Sequence, residues 1–558
     1  MSLFSCCSTP PGKRIWLIFL LAFSFFLPVH LLWFSQVPVW YPIRCLLNGL
    51  PITLFLFIPA LLCARISRPW LILMTTLLLI PAVLAGMHLY YYQATISQQS
   101  LFAILETNLS ESLEFAASQI SFGSILYLLV LIGLPLTILR ALLRLEPRNS
   151  RTSYVTSGVL IAAALILGLT GKLDRLAKDN IACQLVRSCL AYKASAEDLK
   201  NYLAKAATLR AQGVECYRDA PVTLVVLIGE SSSRHHWGLY GYHRDTTPKL
   251  SAMKDELLVF SDAISPFGRT TLSVAASLTC EKVPGIGDIP LTTIFKQAGF
   301  ETVWISNQST VDDSNMIVRL VSNADRKIYL NKGGDQAYAR SYDEKILPAL
   351  DEILTSPGAH EKRVIFVHTM GSHVNYGSRF PAEFDRFDGD ADIVKKPWFS
   401  SKAVKYINDY DNSILYTDHI IASVIERMRS VPGGAVLFYS DHGEEVFDTR
   451  KHHGHHNSLA SRYYVDIPVT LWLSPSLRAA LPEETQELWK FRQDAPFINN
   501  AAPYIMLDVC GVRFDTPRMS DSPLSPNFRP APRILLGHDY DKVYADGKGL
   551  KEPVPFKP

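Results

Sequence analysis

Long apolar runs in the first third of the chain constrain its fold more than any other feature. The 558 residues leave room for more than one domain, and 48% of them are hydrophobic. An α-helix needs about 20 residues to cross a bilayer, and each run approaches that length. The sequence therefore predicts an α-helical transmembrane domain over residues 1–172, with five spans near 15–34, 46–63, 70–90, 125–139 (extending to 143) and 155–169.

Basic residues between these runs predict the orientation. Lys and Arg accumulate before the first run, between the second and third, and between the fourth and fifth, whereas residues 91–121 contain none. Because basic loops stay in the cytoplasm, we expect the amino terminus there. Five is an odd number of spans, so the chain after residue 172 is expected outside the cytoplasm. A cleaved signal peptide is a poorer interpretation, since no small-residue cleavage site follows the first run.

The remainder of the chain has an ordinary globular composition. Its net charge of +3 gives no indication of a nucleic-acid partner. Residues 173–220 are mixed polar and helix-prone, which predicts a helical linker. From residue 221 to residue 558, short β-rich runs alternate with longer amphipathic stretches. This pattern is typical of buried parallel strands joined by helices, so we expect an α/β domain with a central, mostly parallel sheet.

Several of the strand-like runs end in residue types that bind metals. Their carboxyl ends carry Glu230, Asn307, His368 with His373, and Asp441 with His442. In an open α/β sheet these ends meet at one edge, where sites form. A polar residue that ends a strand is more often a turn former or a cap, but the coincidence at four ends favours a metal site. Carboxylate and imidazole ligands without thiolate suit Zn²⁺, and Mn²⁺ less well.

The stretch FSDAISPFGRTTLSVAASLTC, residues 260–280, contains the candidate nucleophile. A Gly-Arg-Thr-Thr turn precedes an apolar helical stretch, so the hydroxyl of Thr270 or Thr271 is expected at a helix N-terminus. Free N–H groups and the helix dipole favour an incoming phosphate there. The alternative interpretation is that the threonine only caps the helix.

Four blocks of sequence resemble a known family. They are GESSSRHHWGLYGYHRDTTPKL (229–250), HTMGSH, YDNSILYTDHIIASVI and SDHGEEVFDT, in this order. They are similar to blocks of the bacterial phosphoethanolamine transferases, membrane-anchored members of the alkaline phosphatase/sulfatase superfamily. The likeness covers nearly the whole chain, including the five-span region. SLFAILETNLSES and FKQAGFETVWISNQ make it look closest to the branch that modifies the lipopolysaccharide core.

The resemblance implies a set of catalytic and metal-binding residues. The zinc ligands it implies are Glu230, Asp441 and His442, together with the nucleophile Thr270, for which Thr271 is the weaker alternative. Two histidines are implied beside the zinc, as catalytic and substrate-binding groups. The first is His373 and the second is best matched by His453, with His452, His455 and His456 close enough to compete.

Other implied residues concern the substrates. Thr107 and Glu111 have the spacing of a Thr and Glu that the family places near the donor lipid, although the family's Asn one turn earlier is Ala103 here. Asn307, at a strand end, is expected to join His373 in binding substrate.

The function implied by the resemblance is transfer of phosphoethanolamine from phosphatidylethanolamine to a surface glycolipid. The acceptor is expected to be the lipopolysaccharide core heptose or lipid A, and the reaction to pass through a phosphothreonine-type intermediate with at least one Zn²⁺. We expect a monomeric, multi-pass inner-membrane protein with a periplasmic catalytic domain. Alternatives are transfer to periplasmic glucans, glycerol-phosphate transfer from phosphatidylglycerol, and a non-enzymatic membrane-anchored binding protein. A sulfatase would need a Cys/Ser-x-Pro-x-Arg motif, which is absent near residue 270.

Overall fold

The chain folds into two compact units in its computed structural model. The structure describes residues 10–34, 40–92, 120–147, 150–170, single positions between 180 and 197, 210–283, 287–308, 317, 320–330, 341–356, 361–456 and 461–544. Described residues up to position 194 belong to the first unit, and those from position 197 onward belong to the second.

The first unit is a bundle of apolar helices. Its elements are α1 (Pro10–Ser24), a 3-10 helix at Leu27–Phe34, α2 (Trp40–Leu56), α3 (Ile58–Leu62), α4 (Ala64–Tyr92), α5 (Phe122–Leu143) and α6 (Arg151–Leu169). Leu21, Leu71 and Leu142 lie in a shared core of α1, α4 and α5. Of the described helices, α4, α5 and α6 are long and apolar enough to cross a membrane.

Two of the predicted spans are interrupted in the structure. The first predicted span is divided, since α1 ends at Ser24 and a 3-10 helix containing Pro28 follows. The second comprises α2 and α3, with Phe57 between them. Pro59 lies at the start of α3, where its missing N–H costs nothing, and this favours a new helix there. The other three predicted spans coincide with α4, α5 and α6.

The second unit alternates strands and helices. Its strands are β1 (Glu215–Cys216), β2 (Val222–Gly229), β3 (Leu257–Phe260), β4 (Ala263–Ile264), β5 (Thr279–Val283), β6 (Gly287–Pro290), β7 (Glu301–Ser306), β8 (Arg326–Tyr329), β9 (Lys362–His368), β10 (Gly434–Ser440), β11 (Glu445–Val446), β12 (His453–Gly454), β13 (Val469–Leu473), β14 (Phe497–Ile498), β15 (Val512–Arg513), β16 (Ile534–Leu535) and β17 (His538–Asp539). Its α-helices are α7 (Pro248–Ala252), α8 (Thr270–Leu278), α9 (Leu291–Gln297), α10 (Ile346–Thr355), α11 (Ser401–Met428), α12 (Pro475–Ala479), α13 (Glu483–Phe491), α14 (Ala502–Cys510) and α15 (Tyr540–Tyr544).

A seven-stranded sheet in the order β3-β13-β10-β2-β9-β7-β8 forms the centre of this unit. The strands from β10 to β8 in that order are parallel, and β13 is antiparallel to both β10 and β3. Ser440 pairs with Gly229, and His368 pairs with both Ile228 and Ser306. The residues that follow β10, β2, β9 and β7 therefore leave the sheet side by side, and the predicted mostly parallel sheet is confirmed.

Successive side chains of the central strands point to opposite faces of the sheet, and each face packs against its own apolar layer. Val226 and Ile228 are fully buried in the layer that includes α9 and α14. Val225 and Leu227 are fully buried in the opposite layer, with α10 and α11. Burial of each such side chain contributes about 1.5–3 kcal/mol, so the sheet is a rigid base for the residues at its edge.

Candidate active site

A threonine hydroxyl, a glutamate and a histidine meet where β2 and β10 end. Thr270 Oγ1 lies 3.2 Å from Glu230 Oε2 and 3.3 Å from Glu230 Oε1. The same oxygen is 3.3 Å from His442 Nε2. His442 Nε2 is also 3.4 Å from Asp441 Oδ2. The structure thus brings together the four residues that the sequence predicted as the metal set.

Local structure fixes each of these side chains. Glu230 directly follows β2, and Asp441 and His442 directly follow β10. Thr270 is the first residue of α8, where free backbone N–H groups and the helix dipole favour an anion. The hydroxyl that makes the contacts above is that of Thr270, and the other candidate, Thr271, is the next residue of the helix.

The two carboxylates are buried beside each other. Glu230 and Asp441 are each 1% exposed. Burial, and then the charge of Asp441, raises the pKa of Glu230 well above its ordinary value. Burial lowers the pKa of His442, which favours the neutral imidazole. The site therefore holds two acidic groups side by side where burial disfavours the charged form of Glu230, and a bound cation would favour it instead.

The donor set fits a divalent metal ion. Ligand atoms of Glu230, Asp441 and His442 all lie within 4.8 Å of one another. His442 Nδ1 donates to the Gly443 carbonyl oxygen, 2.8 Å away, so the lone pair is on Nε2. Asp441 Oδ2 is buried and has no hydrogen-bond partner among the described residues. A buried carboxylate oxygen without a donor is the geometry that a bound cation would explain.

A second acid–histidine pair adjoins this centre. Glu444 is fully buried and accepts a hydrogen bond from His455 Nδ1, 2.7 Å away. Tyr376 donates its hydroxyl proton to the other oxygen of Glu444. Burial would lower the pKa of His455, but the Glu444 carboxylate raises it. The rings of His455 and His442 are 4.1 Å apart, so the pair faces the centre.

His455, and not the best sequence match His453, is therefore the downstream histidine beside His442. His453 instead stacks on Tyr406 at 4.2 Å, and burial lowers its pKa to about 4. The reason is a hairpin, because β11 pairs with β12 so that Gly454 lies opposite Glu445. With this register, His455, the residue after Gly454, lies next to Glu444. Spacing along the chain did not distinguish the histidines, since it carries no information about the register.

His373 lies close enough to the centre for the charges there to act on it. Burial, followed by the charges of Arg379, His455 and His442, lowers its pKa well below the ordinary value. Its Nδ1 is buried and has no hydrogen-bond partner in the described part of the chain. A neutral imidazole with a free ring nitrogen is suited to receive a proton or to bind a polar group of a substrate.

Asn307, which the sequence predicted to bind substrate, has its side chain engaged within the protein. It is fully buried, donates to the Asp343 carboxylate at 2.8 Å and accepts from the Ser341 hydroxyl at 2.6 Å. Asp343 in turn accepts from the backbone N–H groups of Met370 and Gly371. The structure thus gives Asn307 a supporting position behind the loop that carries His373.

Two residues that the sequence did not single out orient Glu230. Ser231 donates its hydroxyl to Glu230 Oε1 at 2.7 Å, and its backbone N–H donates to Asp441 Oδ1 at 3.0 Å. Gln308 Nε2 lies 2.8 Å from the Thr369 carbonyl and 3.4 Å from Glu230 Oε2. Ser231 is the residue after a strand-ending acid and Gln308 follows Asn307, so adjacency to a strand end was the available signal. Thr107 and Glu111, predicted near a donor lipid, lie outside the described residues.

A parallel sheet whose strand ends hold a threonine among carboxylate and imidazole ligands defines an enzyme domain of the alkaline phosphatase/sulfatase type. Comparison with known proteins agrees, since the sulfatase family matches residues 222–501. The chain is 31% identical over 488 residues to phosphoethanolamine transferase EptC of Escherichia coli (strain K12), covering 81% of this chain and 82% of that protein. The chain belongs to the sulfatase family, in its group of phosphoethanolamine transferases, which confirms the resemblance seen in the sequence.

Solved structures support the same assignment. The C-terminal periplasmic domain of EptC from Escherichia coli, in complex with zinc, matches with a TM-score of 0.54 and 31% identity, covering 60% of this chain and 96% of that one. The integral membrane protein EptA, a lipooligosaccharide phosphoethanolamine transferase from Neisseria meningitidis, matches with a TM-score of 0.63. That match covers 93% of this chain and 96% of the other at 18% identity, so it shows a shared fold that includes the helical first unit.

Proposed function

We propose that this protein transfers phosphoethanolamine from phosphatidylethanolamine to a surface glycolipid, with Thr270 as the nucleophile. The observation that carries the proposal is the position of Thr270 Oγ1, within 3.3 Å of Glu230 Oε1 and of His442 Nε2 at the start of a helix. A threonine that only capped α8 would need no buried acid and imidazole beside its hydroxyl. The names of the relatives supply the transferred group, and the motif blocks favour the lipopolysaccharide core or lipid A as acceptor.

Zinc is the metal that the donor set favours. Glu230, Asp441 and His442 would hold it, with Thr270 as the fourth group, and the zinc complex of the EptC domain supports this choice. When bound, the ion lowers the pKa of a hydroxyl and offsets negative charge on phosphoryl oxygens. His442, Glu444 and His455 form a second group with ligand spacing. Since the lone pair of His442 is assigned to the first ion, Glu444 and His455 are the residues that would hold a second one.

The chain's own residues then divide the reaction into two steps. Thr270 Oγ1 attacks the phosphorus, the bond to the glycerol oxygen breaks, and diacylglycerol leaves with a proton. An acceptor hydroxyl or phosphate oxygen next attacks the phosphoethanolamine on Thr270, which restores the threonine. N–H groups at the start of α8 stabilise the phosphoryl oxygens in both steps.

Proton movement is assigned to His455 and His373. Glu444 accepts from His455 Nδ1 and so directs His455 Nε2 away from Glu444, ready to exchange a proton with the leaving or attacking oxygen. His373, with its free Nδ1, is positioned to bind the transferred group or to share this task. His453 has no place in this scheme, because its ring is stacked on Tyr406.

The membrane arrangement follows from the same proposal. We assign residues 1–172 to a five-span transmembrane domain, 173–220 to a linker and 221–558 to a catalytic domain on the periplasmic side of the inner membrane. The donor lipid would then lie in the leaflet nearest the catalytic domain, with Thr107 and Glu111 beside it. We expect the protein to act as a monomer.

Mass spectrometry of surface glycolipids tests the proposal directly. Cells that produce the full chain should add one phosphoethanolamine to lipopolysaccharide, and cells that produce Thr270→Ala should not. Purified protein incubated with phosphatidylethanolamine should carry phosphoethanolamine on the peptide that contains Thr270. If glucans alone were modified, the acceptor would be a glucan and not lipopolysaccharide. If transfer occurred from phosphatidylglycerol alone, the donor would be phosphatidylglycerol and not phosphatidylethanolamine. Transfer that persists in Thr270→Ala would exclude this nucleophile.

A further inference from the structure

The loop that follows β9 is held on one side by a buried carboxylate. Asp343 is 4% exposed and lies just before α10. It accepts from the backbone N–H groups of Met370 and Gly371, each 2.9 Å away, and from the side-chain amide of Asn307. Hydrogen bonds to a carboxylate are stronger than those between neutral groups. Two adjacent N–H groups of the loop that carries His373 are therefore fixed in place.

A buried guanidinium holds the other side of the same loop. Arg379 is 8% exposed. Its Nε donates to the carbonyl oxygen of His373 at 3.2 Å, and its Nη2 donates to that of Val374 at 2.6 Å. Burial raises the pKa of Asp343, and the positive charge of Arg379 opposes that shift, so the two charges are close enough to interact. The backbone of His373 thus lies between an anion that accepts from N–H groups and a cation that donates to C=O groups.

The same loop packs directly on the backbone of Glu230. Gly371 has a φ of 49°, and a Cβ atom there would lie 2.9 Å from the Glu230 nitrogen and carbonyl oxygen. Only glycine fits so close an approach. The Ser372 N–H donates to the Glu230 carbonyl oxygen at 3.0 Å, and the His373 N–H closes a turn on the Met370 carbonyl at 3.2 Å. The position of this turn is therefore set relative to a candidate metal ligand.

We propose that Asp343 and Arg379 are positioning residues for the transfer reaction. They form a clamp, a carboxylate on the N–H groups and a guanidinium on the C=O groups of one turn, and so fix the His373 imidazole beside the metal-binding centre. The inference rests on the role that the proposed function gives to His373. Loops are more mobile than the strands they follow, and a displacement of about 1 Å at a reacting group costs roughly 100-fold in rate. A turn held from both sides avoids that cost.

Asp343→Asn tests the clamp in the full-length protein. The substitution keeps the size of the side chain but replaces one oxygen by an NH₂ group, which cannot accept from the N–H group that it faces. We expect the turnover of transfer to fall about 10- to 100-fold, the usual cost of losing a partner that orients a functional side chain. Steady-state transfer assays measure this loss. An unchanged turnover in Asp343→Asn, with an active unmodified protein, would overturn the proposal.

Asp418→Asn is the matched control for this substitution. Asp418 is 1% exposed and accepts from the backbone N–H groups of Lys249 and Leu250 at 3.0 and 2.9 Å, so it resembles Asp343 in burial and in the bonds that it makes. It holds the start of α7 and does not contact the candidate active site. The control should destabilise the protein to a similar extent and keep its turnover within about twofold. Equal losses of turnover in both variants would indicate general destabilisation and would contradict a positioning role.

A double variant shows whether Asp343 acts through His373. In the His373→Ala background, adding Asp343→Asn should lower turnover by no more than about a further factor of two, because the group that the clamp positions is already absent. A purely structural role would not produce this loss of additivity. If Asp343→Asn cost its full 10- to 100-fold in that background as well, the clamp would not be acting through His373.

Amide hydrogen exchange measures the clamp without any assay of activity. Asp343→Asn should speed exchange at Met370 and Gly371, whereas Asp418→Asn should speed it at Lys249 and Leu250 instead. Unchanged exchange at the first two amides in Asp343→Asn would overturn the clamp. Absence of transfer by the unmodified protein would contradict the proposed function, and the exchange rates would still decide whether Asp343 holds the turn.

Arg379→Lys tests the other side of the clamp and remains informative if Asp343→Asn folds poorly. A lysine keeps the charge but has one nitrogen in place of the guanidinium's planar fork, so it cannot hold both carbonyl groups in the same way. We expect a smaller loss of turnover than in Asp343→Asn, and we expect that loss to disappear in the His373→Ala background. A loss that persisted in that background would count against the clamp.

Discussion

Two pairs of acidic side chains in the second unit, fully buried except for the partly buried Asp448, are stabilised in opposite ways. Asp411 and Asp448 have His236 between them, with its Nδ1 2.7 Å from Asp411 and its Nε2 3.2 Å from Asp448. Arg244 also donates to Asp411, at 2.8 Å. Glu230 and Asp441, by contrast, have uncharged neighbours: the Ser231 and Thr270 hydroxyls beside Glu230, and two backbone N–H groups and the neutral His442 imidazole beside Asp441.

The difference shows where the protein supplies its own cation and where it needs one from outside. Two carboxylates buried together repel each other unless a positive charge lies between them. At Asp411 and Asp448 the charge is built into the chain, so the cluster is complete and structural. At Glu230 and Asp441 it is left out, and the ligand atoms are arranged so that a metal ion can provide it.

The largest predicted effects come from neutralising one acidic residue in each of the two pairs and comparing the results. Asp441→Asn should lose bound metal and lower transfer activity by well over the roughly 100-fold that loss of an outer-shell partner costs. It should also make the metal-free protein more stable, because it removes a repulsive charge. Metal analysis, transfer assays and denaturant titration of the full chain measure these effects.

Asp411→Asn is the matched control for the same experiment. It leaves His236 with one acidic partner, and we expect it to lower the free energy of unfolding by about 3–5 kcal/mol. Its metal content should not change. If Asp441→Asn kept its metal, or if Asp411→Asn lost it, the two pairs would not differ in the way proposed.

The fold and the closeness of Glu230 and Asp441 could be predicted because both depend on local patterns. Continuous β-rich runs identify buried parallel strands, and parallel strands bring their carboxyl ends to one edge, so Glu230 and Asp441 had to lie close together. The interruption at Phe57, by contrast, is a break inside an apolar run, where hydropathy alone does not resolve one helix from two.

The residues that sequence reasoning missed depend on register and on contacts between distant segments. Which of the four competing histidines lies beside His442 follows from the pairing of β11 with β12, and spacing did not specify that pairing. The bridging role of His236 requires Asp411 and Asp448 to meet from separate elements, and no local pattern reveals that. The internal contacts of Asn307 were hidden for the same reason.

The second prediction separates His455 from His453. His455→Ala should lower the turnover of transfer about 10²–10⁴-fold, the usual contribution of a positioned acid–base group. His453→Ala should change it much less, because that ring packs on Tyr406 outside the ligand groups. Steady-state transfer assays on both variants, with metal content as the control, decide between them. The opposite order of effects would restore His453 as the functional histidine.

The third prediction concerns how the stability contributed by His236, between Asp411 and Asp448, depends on pH. Burial would lower the pKa of His236, but the charges of Asp448 and Asp411 raise it to about 10. In the unfolded chain the pKa is about 6.5, so the contribution to stability is complete below that pH and is lost as the pH rises through about 10. The loss should be on the order of a few kcal/mol.

Chemical denaturation between pH 7 and 10.5 measures this loss. Tyr242 and Arg244 also donate to Asp411, and Lys396 donates to the backbone carbonyl of Asp448; His236→Gln leaves these three side chains unchanged. His236→Gln should be less stable at pH 7 and should show a shallower decline. Parallel pH profiles for the two proteins would mean that His236 is not the charge that holds Asp411 and Asp448 together.

The smallest predicted effect concerns Ser231, which hydrogen-bonds to both Glu230 and Asp441. Its φ of 55° lies in the left-handed region, which costs a non-glycine residue about 1–2 kcal/mol. Its hydroxyl donates to Glu230 and its N–H to Asp441. Ser231→Gly removes the conformational cost and the hydroxyl together, so its stability should change by less than about 1 kcal/mol.

Ser231→Ala removes only the hydroxyl and should lose about 1 kcal/mol of stability. The two variants keep the same backbone N–H, so both should weaken zinc binding by the same factor, roughly 10-fold. Zinc titration against a competing chelator measures that factor. If Ser231→Gly bound zinc as tightly as the unmodified protein while Ser231→Ala did not, backbone geometry would position Glu230, and its hydrogen bond to the hydroxyl would be incidental.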